Sequence, residues 1–185
     1  MSKRVCPWWL GYLLVNPLRK LSCNPETVLK PYVREGMTVL EVGSGMGFFT
    51  LPMARLVGES GHVVCVDLQE KMIRAVKKRA TKAGLIDRIE LRLSTPKSVC
   101  IDDLVEKVDF ALVFAVVHEV PDAREFLLEI ERSLRKGGLL LFSEPAGRVS
   151  KKEFEGTLAT AQGLGFRIAD SLKIRSSRSS LWVKE

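Results

Sequence analysis

The chain has 185 residues, 46% of them hydrophobic and 28% charged, with a formal net charge of +7. That length suits one domain with a real core and not two of ordinary size, and the composition excludes a disordered or membrane-embedded protein. Four well-separated cysteines, Cys6, Cys23, Cys65 and Cys100, form no C-x-x-C pair; this argues against a zinc site or disulfide framework and for free thiols in a reducing cytosol, so a cytoplasmic protein is expected.

The positive charge sits at the two ends. Residues 1–35 hold six Lys/Arg against two acids and residues 167–185 five against two, whereas 36–166 hold 18 of each sign. Basic ends suit an acidic substrate, a membrane surface or nucleic acid, and equally a solvated surface that keeps the protein soluble. The first element, "KRVCPWWLGYLLVNPLRK", has two cations before an apolar run of only about ten residues, too short to span a bilayer. Pro7, Gly11 and Pro17 interrupt it, and no small-residue cleavage site follows. Residues 1–35 are therefore expected to form an N-terminal extension, a short lid or helical pair packed on a domain spanning 36–185. Trp8, Trp9 and Tyr12 with their flanking cations also suit a peripheral membrane contact through residues 7–18.

From residue 37 strands and helices alternate. "MTVLEV" (37–42) reads as a buried strand, and after a glycine-rich turn Phe48, Phe49, Leu51, Met53, Leu56 and Val57 mark a helix that tolerates Pro52 only near its start. "HVVCVD" (62–67) is a second strand. The helix after it carries Met72, Ile73, Val76 and Ala80 on one face and four lysines elsewhere, ending at Gly84. "RIELRLS" (88–94) is a third strand. "VDFALVFAVV" (108–117) is the continuous apolar run of a fully covered parallel strand. Asp122 and Glu125 open a helix with Phe126, Leu127, Ile130 and Leu134 as its stripe, closed by "KGG". "LLLFSE" (139–144) is the fifth strand, Ser150 and Glu153 repeat the capping spacing, and the tail offers two strands around "SSRSS". Five strand–helix alternations and two closing strands predict a doubly wound α/β domain with a seven-stranded, mostly parallel sheet and helices on both faces.

The first strand runs into "VLEVGSGMGFFT", with the spacing G-x-G-x-G at Gly43, Gly45 and Gly47. A dinucleotide fingerprint needs a glycine where this chain has Phe48, and the phosphate-binding G-x-x-x-x-G-K-[ST] is absent. The loop thus invites close approach of a ligand without the usual equipment for phosphate. Asp67 ends the second strand, where a carboxylate can accept from both hydroxyls of a ribose, and Leu68 and Met72 offer a wall for a flat base. Glu41 adds an acidic group just before the glycines, a setting suited to a cofactor with cationic groups.

These stretches resemble the class I S-adenosylmethionine-dependent methyltransferases: "VLEVGSGMG" is similar to their first motif, "VVCVD" to the acidic one after it, and "VDFALVFAVVHEV" and "LRKGGLLLFSEP" to those of the fourth and fifth strands. The likeness covers about residues 35 to 185, and within the superfamily "GHVVCVDLQEKMI" and "LRKGGLLLFSEP" look most like the ubiquinone/menaquinone-biosynthesis type. It implies S-adenosylmethionine as cofactor. Gly43, Ser44, Gly45, Met46 and Gly47 would wrap its methionine portion, Glu41 would orient the loop or meet the amino group through water, Asp67 would hold the ribose, and Leu68 with Met72 behind it would flank the adenine. Where relatives often carry an Asp to read the adenine amino group, this chain has Ser94 and Thr95, weaker hydroxyl partners.

On the acceptor side, His118 and Glu119 follow the fourth strand and Glu144 the fifth, at the rim where open parallel sheets bind ligands. His118, with Glu119, is the catalytic candidate, as a base for an acceptor that must lose a proton; the same residues also serve to shape the turn into the Asp122 cap. Three ligating side chains on two loops do not make a metal site, and none is expected. The chain lacks an [ND]-P-P-[YF] signature and a Pro-Cys nucleophile after the fourth strand, and Asp109 lies at the wrong end of that strand for catechol-type metal chemistry. The expected acceptor is a small or lipid-like molecule and not nucleic acid, in a pocket completed by residues 1–35 or by the second subunit of a homodimer. Three rivals stay open: a catalytically silent cofactor-binding module acting through partners, a methyltransferase for RNA or protein, and a nicotinamide oxidoreductase, which Phe48 disfavours.

Overall fold

A computed structural model describes residues 23–185 together with Pro7, Trp9, Gly11 and Val15. Trp8, Tyr12 and most of the expected 1–35 extension, with its membrane contact, lie outside the described residues. The chain divides into two compact units, one ending at Ser94 and the other running Thr95–Glu185. The strands, introduced below, follow the order β3-β2-β1-β4-β5-β7-β6, the expected seven-stranded, mostly parallel α/β sheet.

The first unit contains α1 (Pro25–Leu29), β1 (Thr38–Val42), α2 (Thr50–Leu56), β2 (His62–Asp67), α3 (Glu70–Lys82) and β3 (Ile89–Leu93). Asn24 starts α1 by accepting from the Glu26 amide, with Pro25 at the first helical position, where its missing N–H costs nothing. β1 and β3 flank β2 in parallel, with Leu40 opposite Val64 and Cys65 opposite Leu91. Val39, Leu40, Val63, Val64, Cys65 and Val66 are all buried, as strands covered on both faces require. Met72, Val76 and Ala80 form the buried stripe of α3, with Ile73 at its edge and Lys71, Lys77, Lys78 and Lys82 exposed.

The second unit contains β4 (Val108–Phe114), α4 (Ala123–Ser133), β5 (Leu134–Pro145), α5 (Lys151–Gln162), β6 (Phe166–Leu172) and β7 (Ser177–Lys184). β4 and β5 are parallel, and β7 runs antiparallel to both β5 and β6. Its core is aromatic: Phe142 stacks on Phe154 at 5.2 Å and tilts against Trp182 at 4.8 Å, which in turn meets Phe166. Both caps form as the spacing predicts. Asp122 accepts from the amides of Arg124 and Glu125, and Ser150 with Glu153 makes a complete capping box.

Three boundaries differ from expectation. β4 stops at Phe114 instead of 117, because Ala115 turns into the left-handed region (φ 63). "KGG" does not separate α4 from a strand beginning at 139. β5 already starts at Leu134, and the register jumps from Val108–Leu134 to Phe110–Leu139, so Arg135–Gly138 bulge out of one continuous element. "SSRSS" is not the closing turn; most of it lies in β7, where the Ser179 hydroxyl bonds Ser143 at 2.8 Å and that of Ser180 donates to the Asp170 carbonyl. Satisfied hydroxyls let these serines occupy a buried strand. No helix among the described residues is long and apolar enough to cross a membrane.

Candidate functional site

β1 delivers the chain into the glycine loop, and the Gly43 and Ser44 amides both donate to the Val66 carbonyl, pinning the loop to the end of β2. Gly43, Gly45 and Gly47 all take positive φ, at 76, 54 and 82°. Two of them do different jobs. A Cβ on Gly47 would lie 3.0 Å from Leu51 Cδ1, so packing explains that glycine. A Cβ on Gly45 would meet nothing within 4 Å among the described residues: its backbone is bare and open on that side.

Asp67, the last residue of β2 and only 8% exposed, fixes this bare backbone. Its Oδ2 accepts from the Gly45 amide at 2.8 Å and its Oδ1 from the Gln69 amide at 2.8 Å. Both oxygens of the carboxylate are thus turned towards the glycine loop and the turn that follows β2. Loop and carboxylate therefore form one assembly, and an adenosyl cofactor fits what is present.

Glu41 lies beneath the loop, 3% exposed, and accepts from the Thr50 hydroxyl at the start of α2. Burial pushes its carboxyl up to about 8; the Thr50 bond opposes that shift and the Asp67 charge adds to it. At neutral pH it is mostly a neutral acid, not the negative lining the sequence suggested. Cys65 Sγ is 3.8 Å from Thr50 Oγ1, and burial followed by the charge of Glu41 pushes its thiol up as well.

The remaining cofactor candidates occupy the same unit, except Thr95. Met46 is buried and its carbonyl accepts from Arg79 on α3, a tether that sequence spacing did not disclose. Met72 is buried and Leu68 half-buried. Gly11 sits directly on both thioethers, since a Cβ there would come within 2.9 Å of Met46 Cε and 3.0 Å of Met72 Sδ. The Ser94 amide donates to the Asp67 carbonyl at 3.1 Å. The Thr95 hydroxyl accepts from the amides of Lys97 and Ser98, so it organises its own turn.

In the second unit, the bend at Ala115 is held by its amide donating to the Ser143 carbonyl at 2.7 Å. This brings His118 to Glu144, near the end of β5. Glu144, 2% exposed, accepts from the His118 backbone amide through Oε1 at 3.3 Å and bonds His118 Nδ1 through Oε2 at 2.5 Å. With Glu144 as the carboxylate, which has only lone pairs to offer, Nδ1 is the donor. His118 Nε2 is buried and has no hydrogen-bond partner among the described residues; Glu119 Oε1, at 3.6 Å, is beyond bonding distance. Leaving such an atom unsatisfied costs about 1–3 kcal/mol, which a ligand's polar group would recover. The sequence placed these three residues on one rim; their pairing across 26 residues appears only in the fold. Among the described residues no group of three or more side chains is arranged to hold a metal ion.

A family model described as a methyltransferase domain matches residues 33–174. The chain is 28% identical to the ubiquinone/menaquinone biosynthesis C-methyltransferase UbiE of Hahella chejuensis, over 92% of this chain and 75% of the relative. It is 26% identical to the same-named protein of Klebsiella pneumoniae, over 80% of this chain and 64% of the relative. The chain thus spans roughly two thirds to three quarters of the length of these relatives. The crystal structure of a SAM-dependent methyltransferase from Aquifex aeolicus superposes with a TM-score of 0.85 at 26% identity, covering 97% of this chain and 98% of the other.

Proposed function

This chain belongs to the methyltransferase-domain family and its cofactor is S-adenosylmethionine, and from that premise we propose that it methylates a small, lipid-like acceptor such as a quinone-like phenol. The observation that carries the reading is the open backbone at Gly45 bonded to the Asp67 carboxylate. Likeness to the ubiquinone/menaquinone biosynthesis C-methyltransferases supports the class of acceptor.

Gly43 to Gly47 hold the methionine portion of the cofactor and Asp67 the ribose. Leu68 and Met72 flank the adenine, with Ser94 at its edge, since the hydroxyl of Thr95 serves its own turn. Bound there, the cofactor supplies a methyl group on a sulfonium, ready for in-line displacement. The protein's share is alignment, a contribution that reaches about 7–11 kcal/mol in favourable systems. Glu41 contributes by gripping Thr50 so that β1, the loop and α2 keep one geometry. His118 is the group that removes a proton from the acceptor, commonly worth about a hundred- to ten-thousandfold. Gly11, lying against Met46 and Met72, helps to exclude water beside the cofactor loop.

Calorimetry with S-adenosylmethionine, its demethylated product and NAD tests the cofactor side; binding of NAD alone overturns it. A labelled-methyl screen over phenols, amines, thiols and RNA tests the acceptor side, with label expected on phenols. Tight cofactor binding without any labelled acceptor would favour the silent module, the alternative to which the engaged Thr95 hydroxyl lends weight.

A further inference from the structure

We propose that Glu144 is a positioning residue: it fixes the tautomer of His118, so that Nε2 becomes the atom receiving a proton from an acceptor hydroxyl. The inference rests on the methyltransferase reading above and adds a device to it. Glu144 holds His118 at two points, the backbone amide through Oε1 and the ring through Oε2. The backbone donor is fixed by covalent structure, so the carboxyl group's orientation is fixed too, and a carboxylate held there accepts from Nδ1. That leaves the lone pair on Nε2, the buried atom with no partner among the described residues.

The local chain is bent to achieve this. Ala115 takes φ 63, costly for a residue with a Cβ, and directs the chain leaving β4 back over β5, where Glu144 is nearly the last residue. A turn needed only to start α4 has no reason to bury a carboxylate under an imidazole. In the proton step the acceptor's O–H bond breaks, its electrons stay on the oxygen, and the proton forms a new N–H bond at Nε2. The ring becomes an imidazolium, with the Glu144 carboxyl group against its Nδ1.

Glu144→Gln gives a sharp test. The His118 amide can bond only the oxygen of the new side chain, which turns its NH2 towards Nδ1 and forces the ring proton onto Nε2. The chain has two histidines, so nitrogen-15 spectra of histidine-labelled protein, with His62→Gln for assignment, report the neutral ring of His118 directly. The wild type is expected to carry the proton on Nδ1, Glu144→Gln on Nε2, and Glu144→Asp on Nδ1 again. With a polyprenyl hydroquinone as acceptor probe, kcat of Glu144→Gln should fall by about a hundredfold or more, with KM for S-adenosylmethionine within about threefold and activity recovering in the Asp variant. A wild-type ring protonated at Nε2 overturns the proposal without needing any variant to fold. So does an inverted tautomer with unchanged kcat, which would leave Glu144 a structural role only. A wild type that does not methylate the probe removes the hydroxyl-bearing acceptor, whereas failure to bind S-adenosylhomocysteine removes the underlying methyltransferase reading, whatever the ring shows.

Discussion

Each half of the chain buries one glutamate beside the end of a parallel strand, and the two are put to opposite use. Glu41, in the unit ending at Ser94, has a neutral hydroxyl for its partner and is pushed up to about 8 by burial. Glu144, in Thr95–Glu185, is buried as deeply but has an imidazole and a backbone amide to accept from. One side chain is a protonated strut that holds a loop; the other orients a ring. The difference lies in the partners each fold brings up, not in the residue type or its depth.

The comparison is sharpened first at the imidazole. His118→Gln should lower kcat for labelled-methyl transfer by about a hundred- to ten-thousandfold while leaving cofactor affinity in place; unchanged turnover would break it. The next largest effect is on stability. A carboxyl raised to about 8 in the fold from 4.5 in the unfolded chain keeps its proton preferentially when folded. Its contribution is therefore fully present below pH 4.5 and lost as the pH rises through 8. Glu41→Gln mimics the neutral acid, and urea unfolding should show the alkaline decline reduced, by a few kcal/mol at most. A mutant with the same decline as wild type would mean that Glu41 is ionised after all. Asp67→Ala removes both the cofactor ligand and the bond to Gly45, so calorimetry with the demethylated cofactor should show affinity reduced by about tenfold or more. The smallest effect is expected of Gly45→Ala, where the strain of a Cβ at φ 54 costs about 1–2 kcal/mol in thermal unfolding.

Much of this was legible in the sequence because its determinants are local. β2 forms over the residues predicted, and Asp122, Ser150 and Glu153 cap as their spacing demands, since each partner is within three residues. The family resemblance and the α/β sheet follow from patterns of the same short range. Residues missed or misplaced depend on distant partners. Ser179 and Ser180 read as a turn until Ser143 and the Asp170 carbonyl satisfy their hydroxyls. "KGG" reads as a stop until β4 pairs with the chain on either side of the bulge. The grip of Glu144 on His118 and of Arg79 on the Met46 carbonyl cross 26 and 33 residues, and no periodicity records them.

Cys65 gives the glycine loop one further property. An enzyme that stores an electrophilic methyl donor must not alkylate itself, and Cys65 is a thiol packed beneath the glycine loop, 3.8 Å from Thr50 Oγ1. Only the thiolate is an effective nucleophile, and burial keeps this sulfur protonated. The same dryness that neutralises Glu41 thus passivates the thiol beside it, and the reagent is left for the acceptor alone.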